Sequence, residues 1–457
     1  MISIPRGLCR AFPALARKCV SGRPRGPAPV VVFEAKGSTL TAWAKTGDAV
    51  LVYAAPTNGD DELLVVPMAV LEAAAGSGGE PVELCAGPKL KGEARYTDRG
   101  VPKEYPFDAV MPGKQHRLPD PPDDWHTVPI EFLSALYECG RTTAKDATRF
   151  ALTRVQLKGK AGQVVATDGR TAFIRGWFSF PFADDLLVPA LPVFGARELA
   201  GERSVRIGRT TTHLVVEAGP WRVFLPVDRT GRYPDVAGVV PRNAPTTAVI
   251  DDRDAVELLE KLHGLPGCDA DHRPVTLAVD GGVVLRAGDA KTDTGKSVRL
   301  RRSTSTGPPV RAAIDRRVLA RALALGCRRV RLTPDKPVVF EGKDTTLLTV
   351  TLDPALAVGP TPDAGTDTPA TNTNPHTIEK EIAVKSETNG HPPNGRHDPP
   401  DADPLLLAEE LRAALSDALA AASRLVGALK HQKKEKKALT QVWSSLKALN
   451  LGPGGQT

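Results

Sequence analysis

Several common signatures are missing from this sequence. No run of residues approaches the ~20 apolar positions that cross a bilayer, so no membrane-spanning helix is expected. The cysteines are Cys9, Cys19, Cys85, Cys139, Cys268 and Cys327, and none forms C-x-x-C or has a histidine at zinc-ligand spacing. Reduced, buried thiols in a cytosolic compartment are the expectation. The 9 histidines are scattered, so no metal or other cofactor is expected. No spaced Ser, His and acid cluster is recognisable. Aromatic residues make up only 5% of the 457 positions, while Gly and Pro number 41 each, which implies many turns or a long unstructured stretch.

Hydrophobic residues at 41% and charged residues at 25% are ordinary for a globular protein. The net charge is +7. From Ala357 onward 11 Lys/Arg face 12 Asp/Glu, so the positive excess lies in the preceding body. A basic body suits a polyanionic partner. Near the N-terminus, Leu8, Phe12, Leu15 and Ala16 share one helical face, with Arg6, Arg10 and Arg17 elsewhere. A basic amphipathic helix fits that spacing. A targeting segment is the alternative, although no continuous apolar stretch follows the arginines.

The chain repeats itself. LLVVPMAVLEAAAGSGGEPVEL from Leu63, LLVPALPVFGARELAGERSVRI from Leu186 and VRAAIDRRVLARALALGCRRVRL from Val310 each read as strand, one-sided helix of about three turns, Gly-containing break and strand. A weaker series interleaves: the N-terminal helix, VPIEFLSALYECGRTT from Val128, and DDRDAVELLEKLHGLPG from Asp251. Period-two runs such as THLVVEAGPWRVFLPV follow each helix and predict antiparallel meanders. The fold class is α+β, with three similar domains of two helices each over residues 1–118, 124–241 and 245–356. Pro-rich LPDPPDDW and VVPRNAPTT separate them. Residues 357–404 are Pro, Thr, Asn, Asp and Gly, a disordered linker by composition. Residues 405–450 carry Leu411, Leu415, Ala418, Ala422, Leu425 and Leu429 at heptad-like spacing, an amphipathic helix that either self-associates or packs back on the body.

QVVATDGRTAFI, Gln163 to Ile174, poses the main chemical question, whether Asp168 is a catalytic carboxylate or a hairpin tip. Strand-like runs on both sides favour the hairpin. AKTDTGKS, Ala290 to Ser297, loosely matches a phosphate loop, but the following SVRLRRSTS reads as a strand rather than the required helix. The pairs Asp60-Asp61, Asp184-Asp185 and Asp251-Asp252 are adjacent and read as solvated turns, since neighbours on a strand face opposite ways. Basic residues are better organised: Arg6, Arg10, Arg17 and Lys18 on the first helix, Arg23 and Arg25 just after it, Arg141, Lys145 and Arg149 after the helix of the second domain, and Arg316, Arg317 and Arg321 on a helix of the third. Recurring helical arginines suit a surface that tracks phosphates without reading bases. Taken one cluster at a time they also fit ordinary solvated helix faces.

VVATDGRTAFI and TGRYPDVAGVVP, in that order and separation, resemble the bacterial DNA polymerase III β sliding clamp family. TRFALTRVQL and RRVLARALALGCRRVRL also look like clamp text, and the resemblance covers the body, with a C-terminal extension beyond it. It implies a head-to-tail homodimeric ring around duplex DNA, helices lining the hole, no catalytic residue, and a groove holding short peptides of DNA polymerase and clamp-loader proteins. By motif position the groove would be lined by Leu152, Thr167, Gly169, Arg170, Pro234 and Val239. The DNA-facing set would be Arg6, Arg10, Arg17, Arg23, Arg141, Arg149, Arg316, Arg317 and Arg321. The implied location is the cytoplasm, with the nucleoid. Three departures bear on the groove. The family's His-Arg-Leu is Arg170-Thr171-Ala172, its Tyr-Arg-Arg is Val236-Ala237-Gly238, and LTVTLDPAL (Leu348 to Leu356) replaces its Met-Pro-Met-like end. A second reading keeps the fold but makes the chain an interaction scaffold acting through its C-terminal helix.

Overall fold

A computed structural model describes residues 1–22, 28–76, 80–145, 151–229, 231–267, 272–289 and 294–359. The expected linker beyond residue 359 and the expected C-terminal helix lie outside the described residues, as do Arg23, Arg25, Arg149 and Cys268.

The alternating runs fold as antiparallel hairpins, and the one-sided runs as short helices that cover one face of them. The first domain contains β1 (Ile2–Pro5), α1 (Arg6–Lys18), β2 (Val30–Lys36), β3 (Thr39–Lys45), β4 (Val50–Pro56), β5 (Glu62–Pro67), α2 (Met68–Ala74), β6 (Pro81–Ala86), β7 (Lys91–Asp98) and β8 (Val101–Asp108). The second repeats this order with β9 (Trp125–Val128), α3 (Glu131–Thr142), β10 (Arg154–Lys158), β11 (Gln163–Thr167), β12 (Thr171–Arg175), β13 (Asp185–Pro189), α4 (Arg197–Ala200), β14 (Val205–Arg209), β15 (His213–Ala218) and β16 (Trp221–Pro226). A short helix, α5 (Val236–Val239), leads to the third. That domain holds β17 (Thr246–Val249), α6 (Asp252–Leu262), β18 (Pro274–Val279), β19 (Val283–Asp289), β20 (Thr294–Leu300), β21 (Thr304–Thr306), β22 (Val310–Asp315), α7 (Arg316–Ala324), β23 (Arg329–Leu332), β24 (Val338–Glu341) and β25 (Thr345–Thr349).

Local chemistry explains most element ends. Asp251 and Asp315 cap α6 and α7, their carboxylates accepting from the N–H groups of Arg253 and Arg317 at 2.8 Å. The helix of the second repeat is shorter than the sequence pattern predicts. A 3₁₀ turn over Pro192–Gly195 replaces its first part, leaving one α-turn, Arg197–Ala200. Gly195 is required there, because an added Cβ would lie 2.6 Å from the ring of Tyr137. Gly295, Lys296 and Ser297 of the phosphate-loop-like text lie within strand β20.

Two sheets run across domain boundaries. One has the order β5-β2-β3-β4-β16-β15-β14-β9, and another β13-β10-β11-β12-β25-β24-β23-β17-β21. Four residues of β4 (Val50–Tyr53) pair with Trp221–Phe224, and Thr171–Arg175 pair with Thr345–Thr349. The outer strands of the remaining sheets, β1-β6-β7-β8 and β20-β19-β18-β22, include β8 and β20. The core is aliphatic with a few rings, among them Phe12, Phe33, Phe132, Phe173 and Phe340, all almost fully buried. Cys9, Cys19, Cys139 and Cys327 are buried in it as free thiols. Burial pushes Cys9 and Cys19 up to about 12, so these sulfurs stay protonated and unreactive.

Candidate partner groove and nucleic-acid interface

The β11–β12 hairpin closes on a two-residue loop. Asp168 N–H donates to Thr171 O at 3.2 Å, leaving Gly169 and Arg170 at the tip. Gly169 has φ +91°, and Asp168 and Arg170 are not in the left-handed region, so only the glycine carries the unusual backbone. The Asp168 carboxylate accepts from Arg170 N–H at 2.8 Å and from Thr171 N–H at 2.7 Å. Thr167 Oγ1 donates to Thr171 O and accepts from Gly169 N–H. Asp168 is thus committed to holding a turn.

Tyr233 ties this turn to the α5 segment. Its hydroxyl accepts from Thr167 N–H at 3.0 Å and donates to Arg154 O at 3.4 Å. Burial raises the phenol's pKa, so it remains a neutral donor and acceptor. Four of the expected groove residues neighbour this link in sequence. Thr167 makes it, Gly169 and Arg170 occupy the same tip, and Pro234 follows Tyr233. Leu152 lies two positions before Arg154, and Val239 sits in α5, 55% exposed. Thr167 is buried, whereas Gly169, Arg170 and Pro234 are exposed. Tyr233 itself was not singled out from the sequence, although its place between Arg232 and Pro234 marked it.

Beneath α5 lies an apolar patch on the face of the sheet turned away from the main core: Val165, Ala172, Ile174, Val236, Val339 and Leu348. Strand alternation separates it from Val164, Ala166, Phe173, Phe340 and Leu347, which face the core. Ala172 and Val236 stand where the resembling family has Leu and Tyr. Val236, the first residue of α5, packs onto the strand residues of this patch and is 3% exposed. Further along this face a cleft of about 580 Å³ opens beside Trp177, which is 83% exposed.

The expected DNA-facing arginines divide into two groups. Arg10, Arg17, Arg141 and Arg317 have exposed side chains. Arg17 pairs with Glu72 at 2.7 Å, Arg141 with Glu138 at 2.8 Å, and Arg317 with Asp315. Arg321 is mostly buried and binds Glu138. Arg6 and Arg316 are corrections. They are 5% and 3% exposed, too enclosed to face a phosphate backbone. Each opens a helix and caps the carbonyl end of that helix's companion. Arg6 donates to Ala74 O (3.2 Å) and Ala75 O (3.3 Å) at the end of α2. Arg316 donates to Leu262 O (3.2 Å) at the end of α6 and to Leu265 O (2.8 Å) just beyond. Carbonyls at a helix C-terminus have no intrahelical donor, and a guanidinium both satisfies them and matches the dipole. Sequence periodicity could not distinguish these arginines from surface ones, since position one of a helix can face either way.

The adjacent aspartates have structural partners: Asp184 pairs with Arg209, Asp252 with Arg328, and Asp61 accepts from Gly37 N–H. Among the described residues no group of three or more His, Cys, Asp or Glu could hold a metal ion, and no helix is long and apolar enough to cross a membrane.

With this geometry the chain resembles known clamp structures. DNA polymerase III subunit beta from Borrelia burgdorferi superposes with a TM-score of 0.64 at 12% identity, over 77% of this chain and 97% of that one. A DNA polymerase sliding clamp from Pseudomonas aeruginosa gives 0.63 at 16%, over 77% and 99%. The beta subunit from Thermotoga maritima gives 0.63 at 13%, over 77% and 99%. The chain has the sliding-clamp fold. No protein-family model matches it, and no curated protein matches by sequence. The clamp fold here carries a sequence far diverged from those structures.

Proposed function

We propose that the chain is a sliding clamp. Two copies close head-to-tail into a ring around duplex DNA, and the Thr167–Tyr233 groove holds short peptides of DNA polymerase, clamp loader and other replication or repair proteins. The carrying observation is the repeated junction. The last strand of the second domain pairs with the third strand of the first domain's other sheet, β16 with β4, and β25 pairs with β12 in the same way. The same rule leaves β8 and β20 as the unmatched ends. A second copy supplies each with its partner, and such heterologous contacts close when the rotation does.

Hold on DNA is then topological. The exposed cations Arg10, Arg17, Lys18, Arg141 and Arg317 suffice for weak, sequence-independent phosphate contact. With α6 exposing Asp252, Glu257 and Glu260, the surface is not uniformly basic, which favours sliding over adhesion. The reading needs no catalytic residue and no cofactor. On this reading the protein works in the cytoplasm, on nucleoid DNA. The test is retention on circular DNA with release on linearisation, together with sedimentation of a dimer. A strict monomer that is not retained would refute the proposal.

A further inference from the structure

The edge of β8 is unlike the two junction edges inside the chain. Three hairpins lead into these edges, each with a two-residue loop: Arg99-Gly100, Gly219-Pro220 and Lys343-Asp344. Their closing pairs are Asp98↔Val101, Ala218↔Trp221 and Gly342 with Thr345. Val101, Trp221 and Thr345 are therefore equivalent positions, and residues beyond them can be compared one by one.

Hydrogen bonds fix which backbone groups face outward. In β25, Val350 N–H donates to Arg170 O, so Thr346, Leu348 and Val350 aim their N–H groups at β12. In β16, Ala54 N–H donates to Pro220 O, so Arg222 and Phe224 aim theirs at β4, and the third slot is Pro226. In β8, Ala109 N–H donates to Leu90 O, so Val101, Lys103, Tyr105 and Phe107 face β7. The outward slots are Pro102, Glu104 and Pro106. Proline has no N–H to give, and its ring stands where a neighbouring strand would approach. Of these matched slots, β25 offers three donors, β16 two and β8 one.

Resting on the ring reading, we propose that the β8 edge is a deliberately weak docking surface for β20 of a second copy. Its two prolines make the seam between copies the labile joint of the assembly, while the β4–β16 and β12–β25 junctions stay closed. Pro102 and Pro106 also keep the free edge from pairing with unrelated strands while it is open.

The test restores the missing donors with the residues β25 uses at those slots. Pro102→Thr with Pro106→Val should lower the dimer dissociation constant, measured by sedimentation on the full chain, by about tenfold to a hundredfold, the range carried by two further backbone hydrogen bonds. Glu104→Pro should remove the last of the three donors and leave monomers at concentrations where the parent is a dimer. Unchanged dissociation constants in a dimeric parent and both variants would overturn the weak seam and leave the ring reading standing. Monomers throughout, at every concentration, would overturn the ring reading and the seam with it. Thermal unfolding of each variant confirms that the hairpin is intact.

Discussion

Arg321 of α7 donates from Nε to Glu138 Oε2 of α3 at 2.8 Å, joining the third domain to the second through a mostly buried ion pair. Its NH2 group also reaches the carbonyl of Glu138 at 2.6 Å, and its guanidinium lies 5.4 Å from the ring centroid of Phe173. Arg141 completes the arrangement from the exposed side of Glu138. Removing Arg321 takes two hydrogen bonds from Glu138 but leaves its carboxylate paired with Arg141. Arg321→Ala is therefore expected to lose about 1–3 kcal/mol of stability in denaturant titration. Arg141→Ala, half exposed, is expected to lose less than about 1 kcal/mol.

The arginines that cap helices and those that face solvent should separate in experiment. Arg6→Met and Arg316→Met leave several buried carbonyls without a donor, at about 1–3 kcal/mol for each unsatisfied group. Lower melting temperatures are expected, with an unchanged salt dependence of DNA association in the folded fraction. Arg10→Ala and Arg317→Ala should do the reverse, holding melting temperature while reducing the slope of log affinity against log salt by about one unit at most for each.

Tyr233→Phe removes one hydroxyl and leaves the Thr167 N–H without its acceptor. The expected loss is about 1–3 kcal/mol of stability. On the proposed groove reading, affinity for a clamp-binding peptide should fall together with it, measured by fluorescence anisotropy. Undiminished peptide affinity would separate Tyr233 from the groove.

Acid should withdraw a stabilising contribution at Asp254 of the third domain. Burial alone would raise its pKa, but hydrogen bonds from Ser303 Oγ (2.7 Å), Arg302 N–H (2.9 Å) and Ser303 N–H (2.9 Å), with the Arg302 guanidinium, bring it below the usual carboxylate value. A depressed folded-state pKa stabilises the fold above the unfolded value of about 3.9 and loses that contribution as pH falls through the folded value. Asp254→Asn should therefore be less stable than the parent at neutral pH, with the gap narrowing below about pH 4. pH-resolved thermal unfolding measures this.

Much of the fold was legible in the sequence. The strand–helix–strand repeats and the Gly-punctuated meanders are local patterns, and both survive folding. The Asp168-Gly169 hairpin was legible for the same reason, although only Gly169 takes a positive φ. What escaped was non-local. The burial of Arg6 and Arg316 depends on where the companion helices end, at Ala74 and Leu262. The need for glycine at 195 is likewise non-local, since the ring of Tyr137 on α3 fills the space a Cβ there would need. Tyr233 owes its role to Thr167, which lies far from it along the chain.

The strand ladders that cross domain boundaries make the Pro-rich spacers poor places to cut. Severing the chain at LPDPPDDW or VVPRNAPTT would bare Val50–Tyr53 and Trp221–Phe224 in one case, and Thr171–Arg175 and Thr345–Thr349 in the other. Newly exposed apolar edges of this kind recruit whatever strand is nearby. Single domains expressed alone would aggregate or swap strands, and the intact body would melt in one cooperative step, with no independent transition for any domain.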